Sequence, residues 1–412
     1  MNNDAQSKTH KIAIIGSGPA GSTAALLLNQ IGHDVHLFER EKQPIPLGAG
    51  IMLQPMALKV LDAVGVGQAI RSNGRQVCGI HGGLPSGKVV LDVDFRQCKD
   101  AFTGLGVHRT SLFSNLHDKL GQKNIRLTAG MEITEIHEDI NARYRLETSE
   151  GLVFAGFDLV IIANGARSLL RNQFKYLIKH MAQQKHGAMW AKVDDPEDKY
   201  KDWINHTYHK TAEMLGTMPI GYETNEKIGN SKVNFFYGMP TSYLDDWRPE
   251  LFDSWKERML VKGGTYSDII ERIRSFEEIA VAPFQSVRIH PMHQDRVVFI
   301  GDAAHASGPH LSSGTNLALM DAYVLSEQIS ETPDLELAVK KYSNQRHRQI
   351  RYYHIMSRLI TPLFQSNSNF SWWRNNMLQL LSQLPISSTI VYNTMAGIKS
   401  GVFSKIDSKY YK

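Results

Sequence analysis

A strand, a glycine-rich turn, a helix and a second strand follow one another at the start of the chain. Residues 11–15 (KIAII) form an apolar run that predicts a buried strand. Residues 20–31 are rich in Ala and Leu and predict a helix, and residues 35–38 predict the second strand. This order is typical of a βαβ unit in a parallel sheet that helices cover. The segment therefore predicts an α/β nucleotide-binding fold.

The turn of this unit has the spacing of a dinucleotide-binding turn. Gly16 permits a tight turn, Gly18 lets the backbone approach a pyrophosphate, and Gly21 lets the helix pack against the strand. Glu39 closes the second strand eighteen residues after Gly21, where its carboxylate can accept hydrogen bonds from a ribose 2′-hydroxyl. The turn also contains Pro19 and Ala20, and Arg40 follows Glu39.

The segment after the second strand favours FAD over NAD as the nucleotide. Residues 43–50 form a Pro/Gly-rich loop and residues 52–64 predict a helix, whereas an NAD domain usually continues with another βα unit. No second G-x-G-x-x-G stands in a strand-helix context, and Cys78 and Cys98 form no C-x-x-C pair. Disulfide-reducing enzymes such as glutathione reductase need both features, so that class of enzyme is excluded.

Two further turns are expected at the same edge of the sheet. Residues 158–163 predict a buried parallel strand that ends in Asn164-Gly165, and residues 296–300 predict another that ends in Gly301-Asp302. Small residues then lead to a helix that begins near Ser312–Gly314, whose free N–H groups attract negative charge. Because ligands of open α/β sheets bind at the carboxyl ends of strands, one cofactor site built from distant segments is expected.

The middle of the chain predicts a second sheet. Residues 76–96 predict a hairpin, and Arg109 precedes a helix over 110–120 for which Thr110 is the expected N-cap. Residues 186–240 contain short strands rich in Met and aromatic residues, typical of an antiparallel sheet that could form an apolar wall for a substrate.

The C-terminal region predicts helices over 335–363, with a break at Pro362, and over 372–384 and 390–398. Packing as a helical cap is one interpretation of this region. The pair Trp372-Trp373 also allows a weak contact with a membrane surface or a partner helix.

Charge and composition exclude several other classes of protein. The 412 residues carry a formal charge of +5, without a Lys/Arg block or aromatic-basic interleaving, so no nucleic-acid partner is expected. The two cysteines lack metal-like spacing, so no metal is expected. No apolar run reaches the ~18 residues of a transmembrane segment, and the polar N-terminus lacks an apolar signal region. A cytoplasmic enzyme, monomeric or homodimeric, is therefore expected.

Three of these elements, in this order, resemble motifs of the group A flavoprotein monooxygenases of the para-hydroxybenzoate hydroxylase type. Gly16–Gly21 with Glu39 resembles the FAD dinucleotide motif, and residues 157–168 (FDLVIIANGARS) resemble the middle "DG" motif. Residues 301–316 resemble the "GD" motif, in which Asp302 would contact the ribityl chain of the flavin. The resemblance covers most of the first 330 residues.

The resemblance implies a reaction and a set of site residues. FAD would be reduced by NADPH or NADH, and a flavin C4a-hydroperoxide would transfer one atom of O₂ to a small apolar, aromatic substrate. Pro309 would be a rigid wall on the reaction side, and the N–H groups of Gly314 and Thr315 would face the negative charge of the reduced flavin. The expected cofactor-binding residues are Gly16, Gly18, Pro19, Ala20, Gly21, Glu39, Arg40, Gly50, Ile51, Arg109, Met131, Asn164, Asp302, Pro309, Gly314, Thr315 and Asn316. The expected substrate-side residues are Phe236, Pro309 and Leu311.

The chain departs from the family pattern at two positions. Asn164 stands where the middle motif usually has Asp. In the family that Asp is associated with the binding of both FAD and NAD(P)H, so the way in which this chain binds the reductant is in question. Leu311 stands where a Gly usually follows the Pro, so a bulky side chain beside the flavin is expected. A general base is often needed in this reaction, and His310 is the candidate by chain order, while His305 is expected to be structural.

The fold class expected is α/β, with a Rossmann-like FAD-binding domain of the glutathione-reductase-2 type, an antiparallel substrate sheet and a C-terminal helical region. The FAD-binding domain is expected in three parts over 1–75, 101–180 and 286–330, and the C-terminal helical region over 331–412. The substrate domain is expected over 76–100 and 181–285. Two alternatives remain at this point: a double-bond reductase of the geranylgeranyl-reductase type, which needs no oxygen, and a non-enzymatic flavin-binding protein.

Overall fold

The computed structural model describes residues 8–44, 50–97, 102–224, 229–366, 370–383 and 385–411. The strands are β1 Lys11–Ile15, β2 Asp34–Glu39, β3 Gly50–Leu53, β4 Arg75–Gly83, β5 Val89–Asp94, β6 Gly104–His108, β7 Arg126–Ala129, β8 Ile133–Glu138, β9 Tyr144–Thr148, β10 Val153–Phe157, β11 Leu159–Ile162, β12 Ile178–Asp194, β13 Asp202–His209, β14 Glu213–Gly221, β15 Lys232–Pro240, β16 Ile279–Ile289, β17 His293–Gln294 and β18 Val297–Phe299. The helices are α1 Pro19–Gln30, α2 Pro55–Ala63, α3 Gly67–Asn73, α4 Arg109–Gln122, α5 Ser242–Asp245, α6 Phe252–Gly263, α7 Ser267–Glu271, α8 Asp302–His305, α9 Gly314–Glu331, α10 Leu335–Phe364, α11 Ser371–Gln383 and α12 Pro385–Met395. Short 3₁₀ turns include Leu170–Leu177 and Pro309–Leu311.

A six-stranded sheet with the order β17-β18-β11-β1-β2-β7 carries the nucleotide-binding turn. All neighbours in it are parallel except β17, which pairs antiparallel with β18. The expected strands at residues 11–15, 158–163 and 296–300 are adjacent here, as β1, β11 and β18. Their carboxyl ends therefore meet at one edge, which confirms that the three turns share a rim.

A nine-stranded sheet forms the second layer, with the order β16-β12-β15-β14-β13-β4-β6-β3 and β5 paired to β4. The strands within residues 186–240 pair antiparallel, as expected, but β13 pairs with β4 in parallel, so the sheet as a whole is mixed. Strands β3 and β6 also join this sheet, although they lie within the expected FAD-binding segments. The domain boundaries at 75, 100, 180, 285 and 330 stay predictions.

Successive residues of β15 face opposite sides of this sheet. Phe235, Tyr237 and Met239 pack with Trp255 and neighbouring residues into a separate core on the outer side. Phe236 instead packs against the main core, which also contains β1, α1 and α9 residues. The two-residue period of a strand thus turns Phe236 toward the main core, and a contact between Phe236 and a substrate stays a prediction.

Three local expectations were wrong in detail. The helix expected over 52–64 begins at Pro55, because Met52 and Leu53 pair with β6 before the chain turns. The N-cap of α4 is His108, not Thr110: the His108 side chain accepts a hydrogen bond from the Thr110 N–H. Helix α10 continues to Phe364 through Pro362, two residues before its end. The predicted loop at 43–50 and the helix end at 384 lie partly outside the described residues.

Within the described chain, no helix is both long and apolar enough to cross a membrane.

Candidate functional site

A cavity of about 640 Å³ lies at the carboxyl ends of β1, β2 and β11. It is closed on one side by the start of α1 and on another by the turn into α8 and the first turn of α9. The structure therefore brings distant segments of the chain onto one cavity. Among its lining residues are Gly16, Gly18, Pro19, Ala20, Glu39, Arg40, Arg109, Met131, Asn164, Asp302 and Thr315.

The three glycines of the first turn have three different surroundings. Gly16 has a φ of +104°, and a Cβ there would lie 2.6 Å from the Ala163 carbonyl oxygen. A Cβ on Gly21 would lie 1.9 Å from the Gly16 carbonyl oxygen. A Cβ on Gly18 would meet nothing within 4 Å, because that side of the residue faces the cavity. Gly16 and Gly21 are thus required by packing, whereas the open space at Gly18 fits a pyrophosphate.

Glu39 is held at the end of β2 by hydrogen bonds from the first turn. Its Oε2 accepts from the Ser17 N–H at 2.8 Å and from the Ser17 hydroxyl at 2.9 Å. Its Oε1 accepts from the Glu41 N–H at 3.1 Å. The Met131 N–H donates to the Glu39 carbonyl at 2.8 Å, which fixes Met131 at the same wall. A ribose at this end would meet a carboxylate that is already oriented.

Arg109 and Asp302 line another part of the cavity, each as the first residue of its helix, α4 and α8. Burial lowers the pKa of the Arg109 guanidinium, and the nearby Asp302 carboxylate opposes that shift. Gly314 lies close to the same carboxylate, since a Cβ there would be 3.8 Å from Asp302 Oδ1. A cation, an anion and the N-terminus of α9 therefore converge on a short stretch of the cavity wall.

Asn164 supplies an unpartnered polar atom at this wall. The residue lines the cavity, and its Oδ1 is buried without a hydrogen-bond partner in the described part of the protein. A buried amide oxygen without a partner costs free energy until a donor reaches it. The departure from Asp to Asn thus leaves a neutral acceptor where the cofactor is expected.

Arg171 was not identified from the sequence, although it connects two of the turns. Its guanidinium donates to the Gly165 carbonyl at 3.2 Å and to the Ala303 carbonyl at 3.1 Å, and also to the Ala166 carbonyl. Burial lowers the pKa of Arg171, and Asp302 opposes the shift. The guanidinium therefore holds the turn after β11 against the turn after β18.

Asp321 is a second residue whose role the sequence did not reveal. Its buried carboxylate accepts from the Gly301 N–H at 2.8 Å, from His305 Nε2 at 2.5 Å and from Arg346 Nε at 2.7 Å. Burial alone would raise the pKa of Asp321, but its interactions with His305 and Arg346 hold it below its usual value. His305 is thus structural, as expected: it fixes the Gly301-Asp302 turn on α9.

Asn316 uses its side chain to join the start of α9 to β3. Its Oδ1 accepts from the Gln54 N–H at 2.8 Å, and its Nδ2 donates to the Met52 carbonyl at 2.9 Å and to the Ser312 carbonyl at 2.6 Å. The side chain is fully buried and does not line the cavity. A direct cofactor contact from Asn316 stays a prediction, and only its backbone remains available for one.

Several other expected residues also lie off the cavity lining. Leu311 is 6% exposed and packs into the main core, so its side chain fills space in the core and not in the cavity. Gly50 and Ile51 pair with His108 and Val107, next to Arg109. The other expected residues that do not line the cavity are Gly21, Pro309, Gly314 and Phe236. Direct contacts between all of these residues and a cofactor or substrate stay predictions.

His310 belongs to a cluster of aromatic and histidine side chains beside Pro309. Its ring lies 5.8 Å from that of Phe364, which lies 5.3 Å from the Tyr208 ring. His206 Nδ1 is 3.1 Å from the Tyr208 hydroxyl, and its ring meets Phe236 edge to face at 5.4 Å. These residues come from β13, β15, the turn after Pro309 and the end of α10. We call this set, together with the buried His186 of β12, the histidine cluster.

The histidine cluster is uncharged near neutral pH. Burial lowers the pKa of His206 to about 3 and that of His310 to about 4, and it also lowers the pKa of His186. Burial raises the pKa of the Tyr208 hydroxyl. Nε2 of His186 and Nε2 of His310 make no hydrogen bond of normal geometry with the described residues, although the Gln365 side chain lies close enough to His310 to oppose the fall of its pKa. The cluster thus combines aromatic faces with unused nitrogen atoms.

The comparisons with known proteins agree with this geometry. Residues 9–351 match the FAD binding domain family. The aurachin C monooxygenase/isomerase of Stigmatella aurantiaca is 25% identical over 381 residues, which cover 90% of this chain and 94% of that protein. The 2-heptyl-3-hydroxy-4(1H)-quinolone synthase of Pseudomonas aeruginosa has the same identity and coverage.

A solved structure of similar fold is that of a point mutant of 2-methyl-3-hydroxypyridine-5-carboxylic acid oxygenase. It has a TM-score of 0.78 and 19% identity, and the match covers 95% of this chain and 98% of that one. The match to the FAD binding domain family covers well over half of the chain and includes each turn of the cavity. The chain therefore belongs to the FAD binding domain family, as an FAD-dependent oxidoreductase of the group A aromatic monooxygenase type.

Proposed function

We propose that this enzyme uses NADH or NADPH and O₂ to hydroxylate a neutral, planar aromatic molecule that carries a hydroxyl or ring N–H group. The observation that carries the substrate class is the histidine cluster: aromatic faces and unpartnered nitrogens without a charged side chain at neutral pH. An aromatic ring would pack on these faces, and a donor on the ring would satisfy a nitrogen atom that has no partner.

Three parts of the cavity lining support the proposed place of FAD. The pyrophosphate would lie against Gly18 and the N-terminus of α1, with the ribose hydroxyls on Glu39. Asp302 would accept from the ribityl hydroxyls, and Arg109 and the Thr315 N–H would face the electron-rich edge of the isoalloxazine. Bound FAD supplies the transfer of electrons from NAD(P)H to O₂ and of one oxygen atom to the substrate. The protein binds and orients the cofactor and the substrate, and it excludes water from the site.

His310 is the proposed hydrogen-bond acceptor for the substrate. Its pKa of about 4 means that the imidazole is neutral at pH 7 and can accept from a hydroxyl or N–H through Nε2. Arg374 is a buried cation beside the cluster, where it lies 4.7 Å from the Tyr208 ring centroid. Its Nη1 donates to the Leu363 and Lys210 carbonyls and its Nε donates to Asn375, so only Nη2 has no hydrogen-bond partner among the described residues. An aromatic carboxylate would therefore find one guanidinium nitrogen beside Tyr208 and no cation among the cluster residues themselves.

An oxygen-uptake experiment tests the reaction and the substrate class together. FAD-loaded enzyme is mixed with NADH or NADPH and with two matched substrates, a hydroxyquinolone and a hydroxybenzoate. We expect O₂ consumption and hydroxylated product with the neutral compound, and at least a tenfold higher KM for the carboxylate. Reduction of the substrate without O₂ would contradict the monooxygenase assignment. A preference for the carboxylate would contradict only the substrate class.

A variant pair tests the role of Asp302. We expect Asp302→Ala to weaken FAD binding about tenfold or more, because it removes the acceptor for the ribityl hydroxyls. Asp253→Ala is the control, since Asp253 is an exposed residue of α6. The release of flavin on ultrafiltration, measured by fluorescence, gives both affinities. Equal retention of FAD by the two variants would remove Asp302 from the cofactor site.

The location and assembly of the enzyme follow from the same proposal. An enzyme that consumes NAD(P)H is proposed to act in the cytoplasm, as a monomer or a homodimer. Cell fractionation and light scattering of the FAD-loaded protein test these two points.

A further inference from the structure

The positive charge of the chain is concentrated in its C-terminal part. Residues 337–406 contain nine Lys and Arg residues and no Asp or Glu, which gives this segment a formal charge of +9. The whole chain has a charge of only +5, so the remainder is net negative. Such an asymmetry within one chain points to an anionic partner for the basic segment.

Helix α10 displays much of this charge on one exposed face. Lys340, Lys341, Arg348, Arg351 and Arg358 are all exposed. Their spacing at 3.6 residues per turn places them within one side of the helix. Glu336 lies four residues before Lys340, but no acid follows it on the helix, so the other four cations lack the i, i+4 carboxylates that usually neutralise a solvated helix face. We call these five residues the basic stripe.

Exposed apolar side chains occupy the same face of α10 as the basic stripe. Leu337 is 46% exposed, Ile355 is 44% and Leu359 is 65%. The helical spacing puts each of them between or beside stripe residues. From Leu337 to Leu359 the face is about 33 Å long. An exposed row of apolar side chains bordered by arginines is typical of a helix that lies on a membrane surface.

The end of this face is adjacent to an aromatic group. Arg374 of α11 donates to the Leu363 carbonyl, which places the start of α11 at the end of α10. Phe370, Trp372 and Trp373 in this segment are 46%, 64% and 53% exposed. Trp is favoured at the level of lipid headgroups because its ring is apolar and its N–H is polar. The aromatic group therefore supplies the feature that a purely electrostatic partner, such as a nucleic acid, would not require.

We propose that the basic stripe and the adjacent aromatic group bind the surface of a membrane that contains anionic phospholipids. The cations lie near the headgroup phosphates, and Leu359, Trp372 and Trp373 enter the interface between headgroups and acyl chains. The contact is peripheral, since no described helix can span a bilayer. It brings the enzyme to the phase in which an apolar substrate accumulates.

Vesicle sedimentation with the full FAD-loaded chain tests this inference. The vesicles consist of phosphatidylcholine alone or of phosphatidylcholine with phosphatidylglycerol. We expect partition onto the anionic vesicles that weakens with added salt. The variant Arg348→Gln/Arg351→Gln/Arg358→Gln should lose about a hundredfold in partition coefficient. A Trp372→Ser/Trp373→Ser variant should bind more weakly at high salt, where the apolar contribution dominates.

The matched control neutralises three exposed cations elsewhere, as Lys123→Gln/Arg126→Gln/Lys201→Gln. We expect this control to bind like the wild type, and all variants to keep FAD and NAD(P)H oxidation in solution. Equal binding of the stripe and control variants would overturn the proposal, and so would a wild type that fails to bind anionic vesicles at low salt. These outcomes are independent of the substrate class and of the hydroxylation assay.

Discussion

At the scale of single residues, Gly18 and Gly21 have different reasons to be glycine. Gly21 is a packing requirement, because a Cβ would overlap the Gly16 carbonyl oxygen. Gly18 has a φ of −67°, which any residue adopts, and open space beside it. The same motif therefore contains one glycine for the fold and one for the ligand, and substitution can separate the two roles.

We expect Gly18→Ala to fold with a stability within about 1 kcal/mol of the wild type, but to bind FAD at least tenfold more weakly. The new methyl group would occupy space that the pyrophosphate needs. We expect Gly21→Ala to be destabilised by about 3 kcal/mol or more, since α1 must shift away from β1. Thermal unfolding of the apo-protein and flavin titration measure the two effects. A Gly18→Ala enzyme with normal FAD affinity would show that the cofactor does not approach this backbone.

His310 gives a second prediction at this scale. We expect His310→Leu to raise the KM of a hydroxylated aromatic substrate about tenfold, because the substrate donor loses its acceptor. His310→Gln keeps an amide oxygen as acceptor and should recover part of the loss. FAD affinity should not change in either variant, because His310 does not line the cofactor cavity. Steady-state kinetics with matched hydroxy and methoxy substrates would reveal a merely structural role, since both compounds would then be affected alike.

At the scale of elements, the turn after β18 depends on a buried ion-pair group on α9 and α10. Asp321 binds the Gly301 N–H, His305 and Arg346, and Arg346 also donates to the Leu317 carbonyl at 3.1 Å. Removal of one charge from such a group leaves the other charge buried without compensation. The free energy of unfolding should therefore be sensitive to Asp321 although this residue lies outside the cavity.

We expect Asp321→Asn to lower the free energy of unfolding by about 3–5 kcal/mol. The control is Asp62→Asn, which breaks the exposed pair of Asp62 and Arg71 and should cost less than about 1 kcal/mol. Urea unfolding of both variants provides the comparison. FAD affinity should also fall in Asp321→Asn, since the Gly301-Asp302 turn loses its anchor. Similar values for the two variants would contradict the structural role of Asp321.

The elements that could be predicted from the sequence are those with local signals. The strand, glycine turn and helix of residues 11–31 are set by apolar runs and glycine positions within one segment, and the structure places them almost as expected. The start of α2 was misplaced because the pairing of β3 with β6 depends on residues some fifty positions away. Arg171 and Asp321 escaped notice for the same reason: their partners come from other turns. Asn316 fits the family motif in sequence, yet its contacts to Gln54 and Met52 appear only in three dimensions.

At the scale of the whole molecule, buried histidines connect stability to pH. Burial lowers the pKa to about 3 for His206 and to about 4 for His36, His108, His310 and His354. Each of them is neutral in the folded protein at pH 5, whereas in the unfolded chain a histidine has a pKa near 6.5. The unfolded state therefore binds more protons between about pH 6.5 and 4, and stability falls as the pH falls through this window.

We expect the melting temperature to drop steeply from pH 6.5 to pH 4 and to change little between pH 7 and 8. If all five histidines contribute, unfolding near pH 5 takes up about five protons, equivalent to roughly several kcal/mol per pH unit. Calorimetry across the window measures this slope. His36→Gln should reduce the uptake by about one proton, because burial beside Phe38 in the core of the six-stranded sheet lowers the pKa of His36 in the folded protein. The control His81→Gln, at an exposed histidine of β4, should leave the slope unchanged. A melting temperature that stays constant down to pH 4.5 would mean that these imidazoles are hydrated or protonated in the folded enzyme, and it would also remove the basis for a neutral histidine cluster at the substrate.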